Sequence, residues 1–333
     1  MRNGIARAVW FVEPGRVEIR ESPLPEPGPD AVLVRTAFSG ISPGSEMLAY
    51  RGEIDDSMIL DATLPALSGR FAFPFRYGYS CVGRVERPSG GLREGATVFA
   101  FHPHQDRFVI AADEAIVVDD VDPRQATLFP LVETALQVSL EVERVPEATT
   151  VVTGLGIVGL LSSVLLQRAG ARVLGSDPVP SRRELATTLG IESVAPGALE
   201  ARVADATAGD GAATLVEASG NPSALANGLA LLAHEGTALV VSWYGTKIVP
   251  LPLGGEFHRR RLTIRSTQVS TIPARLAGEW SRERRRRVAR DLLIDLPLAA
   301  LATHEFPFRS APEAFNLVDR GEPGLLHAAL CYE

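Results

Sequence analysis

From Ile5 to about Val118 the apolar residues fall in short runs, "RAVWFV", "RVEIRE", "AVLVRTAF", "YSCVGRVE", "ATVFAF" and "RFVIAA", broken by "EPG", "PEPGPD", "PSGGLREG" and "HPHQD". Short runs bounded by glycine, proline and aspartate predict strands joined by tight turns, hence a compact, mostly antiparallel β domain. Residues Glu53 to Tyr77 break the pattern and predict an irregular segment lying over a cleft. After Asp122 the texture changes. "DPRQATLFPLVETALQVSLEVERV" predicts helix, with Asp122 as N-cap and Pro123 at the first position. Strand-like and helix-like stretches then alternate: "TTVVTG", "IVGLLSSVLLQRAG", "RVLGSD", "SRRELATTLG", "ATLVEASG", "PSALANGLALLAHEG" and "TALVVSW". Parallel strands need crossovers, so this alternation predicts an α/β fold with a parallel sheet covered by helices on both faces. The tail is mixed, "HEFPFRSAPEAFNLVDRG" followed by a last strand "LLHAALCY", and no internal repeat or low-complexity segment is present.

A chain of 333 residues exceeds the usual single-core size, so two domains are expected. Hydrophobic residues at 46% and charged residues at 22% fit an ordinary globule. The net charge of −7 supplies no general attraction for nucleic acid or an anionic membrane. The one dense basic run, Arg284-Arg285-Arg286-Arg287, reads as a solvated helix face. Lys247 is the only lysine, which excludes Schiff-base chemistry elsewhere. With only Cys81 and Cys331, neither a disulfide framework nor a thiolate zinc cluster is supported, and a reducing, cytoplasmic setting is expected. Met1 to Trp10 carries Arg2 and Arg7 without the apolar core of a signal peptide. The uncharged run Ala148 to Gln167 reaches membrane-spanning length, but its "TTVV", "GLGIVG" and "LLSSVLLQ" read as buried strand, loop and helix.

The motif with the clearest chemistry is Gly154-Leu-Gly156-Ile157-Val158-Gly159, after a predicted strand and at the start of a predicted helix, with Asp177 closing the next strand. Gly154 permits a tight turn, Gly156 lets the backbone approach a pyrophosphate, and Gly159 allows close helix-to-strand packing. The helix start offers unpaired N–H groups and a positive dipole end to phosphates. Asp177 can accept ribose hydroxyls and would repel a 2′-phosphate, favouring NAD(H) over NADP(H). Arg182 and Arg183 leave NADP(H) open, since they could line the adenine side or hold a phosphate.

The β domain placed first, "GLGIVG", "VEASGNPSAL", "VVSWYG", "GGEFHRRRLTIRSTQVSTIP" and the closing "HEFPFRSAPEAFNLVDRGEPG" resemble the medium-chain dehydrogenase/reductase superfamily over essentially the whole chain. The resemblance implies a GroES-like catalytic domain over residues 1–122 completed by 295–333, and a Rossmann domain over 123–294. It further implies a cleft between them, a small-molecule substrate, and usually a dimer or tetramer, here a homodimer. In zinc-dependent relatives the segment similar to Ser39-Gly-Ile-Ser-Pro-Gly-Ser-Glu-Met47 carries a cysteine ligand where Ser42 stands, and a Gly-His-Glu where this chain has Gly78-Tyr79-Ser80. The third ligand position falls near Pro130 to Val132, and the lobe with four clustered cysteines is missing. These replacements leave none of the usual ligands, so a zinc-independent member is expected.

Hydride transfer without a metal still needs a group to stabilise the substrate oxygen. The candidates are the hydroxyls of Ser42, Ser45 and Tyr79, with Tyr77 two residues from the last. Ser42 and Ser45 could equally cap a turn around Pro43-Gly44, and Tyr79 could be a packing residue. Glu46 reads as a brace for the loop, through a backbone N–H or an arginine such as Arg51. His102 and His104 read as exposed loop histidines, with a proton relay from one of them as the functional alternative. Trp243 and Tyr244 follow a strand at the carboxyl edge where ligands of open α/β sheets bind, and could face a flat or apolar substrate or simply pack. By resemblance that loop passes beside the nicotinamide, and Thr134 matches a residue near it. Ser219, Gly220, Gln268 and Val269 are further candidates of this sort. The loop at 39–46 is similar to that of proteins related to bacteriochlorophyllide hydroxyethyl dehydrogenase, implying oxidation of a secondary alcohol. Reduction of an activated C=C, as in quinone and enoyl reductases, and a non-catalytic nucleotide-binding role are the alternatives.

Overall fold

The computed structural model describes residues 4–143 and 148–333. It divides into two compact units, one of residues up to 130 together with 287–333, the other of residues 131–286; the superfamily resemblance implies 123–294 for the second. The readings made on Met1, Arg2, Arg144 and Val145 lie outside the described residues.

The first unit begins with β1 (Ile5–Glu13), β2 (Arg16–Pro23), β3 (Ala31–Ile41), α1 (Ser45–Arg51), β4 (Cys81–Arg87), β5 (Thr97–Ala100), β6 (Arg107–Ala111), β7 (Ile116–Val117) and α2 (Pro123–Ala126). The chain then passes through α3 (Phe129–Glu141) into the second unit, which holds β8 (Thr149–Thr153), α4 (Ile157–Arg168), β9 (Arg172–Ser176), α5 (Pro180–Thr188), β10 (Glu192–Val194), α6 (Leu199–Ala206), β11 (Ala212–Glu217), α7 (Pro222–Gly228), β12 (Leu232–Val240) and β13 (Thr263–Ser266). It returns through α8 (Arg282–Asp295) to β14 (His304–Pro307), α9 (Ala311–Arg320) and β15 (Ala328–Cys331).

In the first unit β1 and β2 form an antiparallel ribbon, and a seven-stranded sheet runs β14-β15-β3-β4-β5-β7 with β6 paired to β3. Every pair in these sheets is antiparallel except β14 with β15. Alternation along β1 turns Val9 and Phe11 inward, where Phe11 stacks on Phe75 at 5.2 Å and meets Phe315 of α9 edge-on at 5.3 Å. Residues 53–77 carry no long element, yet Ile54, Leu60, Leu67, Phe71, Phe75 and Tyr77 are buried in this same cluster. The irregular stretch is therefore part of the core, its apolar side chains compensating for the lack of ladder bonds.

In the second unit a six-stranded parallel sheet has the order β10-β9-β8-β11-β12-β13, the doubly wound arrangement expected. The uncharged run at 148–167 is the buried strand β8, a glycine loop and α4. Among the described residues no helix is long and apolar enough to cross a membrane. The helix expected from Asp122 is two helices. Asp122 caps the first by accepting from the N–H groups of Arg124 and Gln125, and α3 starts afresh at Phe129.

Candidate active site

Thr153, Ser176, Glu217, Val240 and Ser266 lie in register at the carboxyl edge of the parallel sheet, so the loops that follow them share one rim. Gly154 adopts φ +87°, and a Cβ there would lie 2.5 Å from the Ser219 Cα. A Cβ on Gly159 would come within 1.8 Å of the Gly154 carbonyl oxygen, whereas one on Gly156 would meet nothing within 4 Å. Gly154 and Gly159 are thus used up by packing, whereas Gly156, the N-cap of α4, faces open space where a Cβ would stand, just before the first helical residues Ile157 and Val158. That is the shape a pyrophosphate needs.

Asp177 is buried beside this loop. One carboxylate oxygen accepts the Leu155 N–H at 2.8 Å, the other the Val179 N–H at 2.8 Å, and Arg182 lies 3.5 Å away. Arg183 turns back on the Asp177 and Pro178 carbonyls. On the neighbouring loops Glu217, fully buried, accepts from the Ser219 backbone N–H at 2.7 Å and from the Tyr244 hydroxyl at 2.7 Å. Gly220 donates to Ser242 Oγ at 2.8 Å. Burial, then the Glu217 carboxylate, pushes the Tyr244 phenol up. Ser219, Gly220 and Tyr244 are therefore tied together by Glu217 and Ser242, neither of which stood out in the sequence. Trp243 beside them is exposed. Thr134 is half-buried on α3, and Gln268 and Val269 follow β13, Gln268 exposed and bonded through its side chain to Ser270.

In the first unit the loop after β3 gathers hydroxyls. Ser45 Oγ lies 2.7 Å from the Tyr79 hydroxyl and 3.4 Å from Ser42 Oγ. Neither serine caps α1, whose N-cap is Gly44 with no side-chain bond. The Tyr79 phenol is pushed up to about 12, by burial first and by the Glu46 charge second. Tyr77 packs edge-on to Tyr79 at 6.0 Å, and its phenol too is pushed well up, chiefly by burial. Glu46 braces the loop as expected, its Oε1 accepting the Ser42 N–H at 2.9 Å, while Arg51 pairs with Asp319 instead. Its Oε2 lies 2.7 Å from His104 Nε2, His104 Nδ1 lies 2.7 Å from Ser39 Oγ, and that hydroxyl lies 2.8 Å from the Tyr332 hydroxyl.

The expectation that His102 and His104 are exposed is overturned, since both are buried. "HPHQD" is polar in composition, but His102 stacks on Phe108 at 4.3 Å and His104 meets Phe315 edge-on at 5.8 Å. The His102 ring bonds its neighbour's carbonyl, Pro103 O at 2.9 Å, and burial lowers it to about 4, so it stays neutral. The arginine run is corrected too. Arg285 is 1% exposed, because it bonds Glu133 and Gln137 of α3 rather than water. Among the described residues no group of three or more His, Cys, Asp or Glu side chains is gathered as for a metal ion.

Residues 158–283 match the profile of the zinc-binding dehydrogenase family. The chain is 26% identical over 202 residues to L-galactonate-5-dehydrogenase of Escherichia coli K12, an alignment covering 60% of this chain and 56% of that protein. The chain thus spans just over half the length of that relative. It is 26% identical over 335 residues to 2-desacetyl-2-hydroxyethyl bacteriochlorophyllide A dehydrogenase of Cereibacter sphaeroides, covering 92% of each. The fold is that of a crystal structure titled short chain alcohol dehydrogenase (rspB) from E. coli CFT073, complexed with cofactor NADH, with TM-score 0.77 and 17% identity over 99% of this chain and 100% of that one. The chain is thus similar to zinc-binding dehydrogenases over residues 158–283 and to one dehydrogenase over nearly its whole length, which supports the resemblance to the medium-chain dehydrogenase/reductase superfamily.

Proposed function

We propose that this protein is a nicotinamide-dependent oxidoreductase that moves hydride between its cofactor and a secondary alcohol or the corresponding ketone, with protein hydroxyls rather than a metal ion handling the proton. The observation that carries it is the contact of Ser45 with Tyr79, 2.7 Å long and extended to Ser42, on the two segments where zinc-dependent relatives keep ligands.

Zinc binds thiolate, imidazole or carboxylate donors in tetrahedral array. Ser42 and Tyr79 offer alcohol oxygens, and the imidazole and carboxylate close to them, His104 and Glu46, are bonded to each other. The residues present do not fit that ion. They do fit a dinucleotide: Gly156, Ile157 and Val158 offer the open helix start to the pyrophosphate, and Asp177 sits beside it for the ribose. The bound cofactor supplies or accepts the hydride. Asp177 would accept ribose hydroxyls with its remaining lone pairs and repel a 2′-phosphate, which favours NAD(H). Tyr79, protonated at any physiological pH, donates a hydrogen bond to the ketone oxygen and gives it a proton as hydride arrives, regaining one from solvent through Ser45 and Ser42; for the alcohol the same chain runs in reverse, Tyr79 releasing its proton to Ser45 as it takes the alcohol's.

Turnover should appear with members of a panel of secondary alcohols and ketones and survive dialysis against a strong chelator. Tyr79→Phe should lower kcat by roughly 10²–10⁴ while NADH affinity stays within twofold. Turnover confined to activated alkenes would move the reading to C=C reduction. Binding of NADH with no turnover on any panel member, or unaltered kcat in Tyr79→Phe, would remove it.

A further inference from the structure

Apart from the hydroxyls of Thr134 and Ser139, α3 is apolar except for a row at every fourth residue, Glu133, Gln137 and Glu141, and all three are buried. This spacing puts them one above the other on a single helix face. Onto that face come Arg285 of α8 and the strap that leaves β13. The Arg285 guanidinium donates through Nε to Glu133 Oε1 at 3.0 Å, and through its terminal nitrogens to Gln137 Oε1 at 2.6 Å, to the Val269 carbonyl, and to the Thr271 carbonyl at 3.5 Å. Gln137 donates in turn to Glu141 Oε1 at 2.8 Å, which also accepts from the Thr267 hydroxyl at 2.6 Å. Arg265 and Arg275 bond the Glu141 carbonyl at 2.9 and 2.7 Å. Residues 265–275 are thus held along α3 almost wholly by side-chain bonds.

A buried ion pair is poor evidence for stability, because desolvating both charges offsets their attraction and a well-packed apolar pair of similar volume often does as well. An apolar pair could not, however, hold peptide carbonyls. Arginine alone presents donors in a rigid fork, able to serve a carboxylate, an amide oxygen and the backbone at once. The segment it holds starts at the carboxyl rim of the parallel sheet and includes Gln268 and Val269. We propose that Arg285, set in place by Glu133 and Gln137, is a positioning residue for the cofactor, fixing the 267–271 strap so that Gln268 and Val269 stand ready to meet the nicotinamide half. The inference rests on the nicotinamide-dependent reading above.

The test is the double variant Arg285→Met/Glu133→Leu, which removes both charges and keeps the volume. It should fold with a cooperative melt, bind AMP within twofold of the parent, and show faster amide exchange at residues 267–271 without any nucleotide. NADH affinity should fall about tenfold, as expected for losing a charge-assisted bond, and kcat should fall with it. Arg285→Lys, which keeps the charge without the fork, should show the same separation of NADH from AMP to a smaller degree. Unchanged NADH affinity and turnover in the double variant would overturn the proposal even if strap exchange rises, as would full function in Arg285→Lys. A parent protein that binds neither AMP nor NADH overturns the cofactor reading itself, and the positioning role with it.

Discussion

His102 shows how a single side chain can be read correctly by type and wrongly by place. In "FAFHPHQD" the neighbours are proline, glutamine and aspartate, the composition of an exposed turn, and nothing local reports that Phe108 of the next strand lies flat against the ring. The same blindness hid His104, whose ring meets Ser39 and Glu46 from some sixty residues earlier in the chain, with Tyr332 reached through the Ser39 hydroxyl. Ser42, Ser45 and Tyr79 were legible because their place in a superfamily motif marked them, yet the bond that joins Ser45 to Tyr79 was not. Burial gives His102 a definite pH signature. In the unfolded chain it takes a proton near its ordinary value of about 6.5, whereas in the folded protein it resists until about 4. Between those values the unfolded state binds more protons, so stability is complete above about 6.5 and is lost as pH falls toward 4, by about 3 kcal/mol in all. His327, lowered to about 3 by burial and then by Arg124, extends the loss in the same direction. His102→Asn keeps a donor for the Pro103 carbonyl and cannot titrate. Urea midpoints of this variant from about pH 7 down to 4.5 should fall less steeply than those of the parent. Parallel slopes would show that His102 does not titrate on unfolding as described.

At the level of elements, periodicity located what depends on local apolar pattern and missed what depends on polar pattern inside a helix. The strands β1 to β6 and the alternation from β8 to β12 follow from runs of apolar residues and their breaks. The row Glu133, Gln137 and Glu141 was equally present in "LVETALQVSLE", at the spacing of one helix face, but isolated polar residues in an apolar helix suggest no partner by themselves. Arg285 was taken with its neighbours as a charged surface, since a run of four arginines has no sequence signal for the one that turns inward. The glycine loop sits at the opposite extreme, because each glycine answers to a separate physical demand that substitution can separate. Gly159→Ala sets a methyl group against the Gly154 carbonyl, 1.8 Å away if nothing moves, so α4 must shift off β8. The variant should lose about 1–3 kcal/mol of stability and most of its nucleotide affinity together. Gly156→Ala meets no protein atom within 4 Å. It should melt like the parent and bind NADH at least about tenfold more weakly, because its methyl group stands where the pyrophosphate comes closest. Equal melting of both variants would refute the packing role of Gly159, and full NADH affinity in Gly156→Ala would place the pyrophosphate elsewhere.

Over the whole molecule, the two-unit plan was readable because each unit has its own texture, one of short strands with frequent turns and one of alternating strands and helices. The division falls within α3 and α8, where no turn or composition change marks it, and continuous helices explain why the sequence alone sets it wider. The plan leads to a thermodynamic expectation, since a ligand that binds only the folded state stabilises by mass action. At a hundredfold excess over its Kd the gain is about 2.7 kcal/mol. For a unit the size of residues 131–286 this amounts to a shift in Tm of roughly 5–10 °C. Calorimetry should therefore show NADH raising the transition that includes the parallel sheet. NADPH at the same concentration should raise it less, since the Asp177 carboxylate stands beside the glycine loop and opposes a second anion there. In Asp177→Ala the two shifts should converge, although the variant itself should melt lower, because the Leu155 and Val179 N–H groups lose their acceptor. A larger shift with NADPH than with NADH in the parent would assign Arg182 the phosphate and Asp177 a purely structural part. No shift with either would leave the glycine loop without its nucleotide.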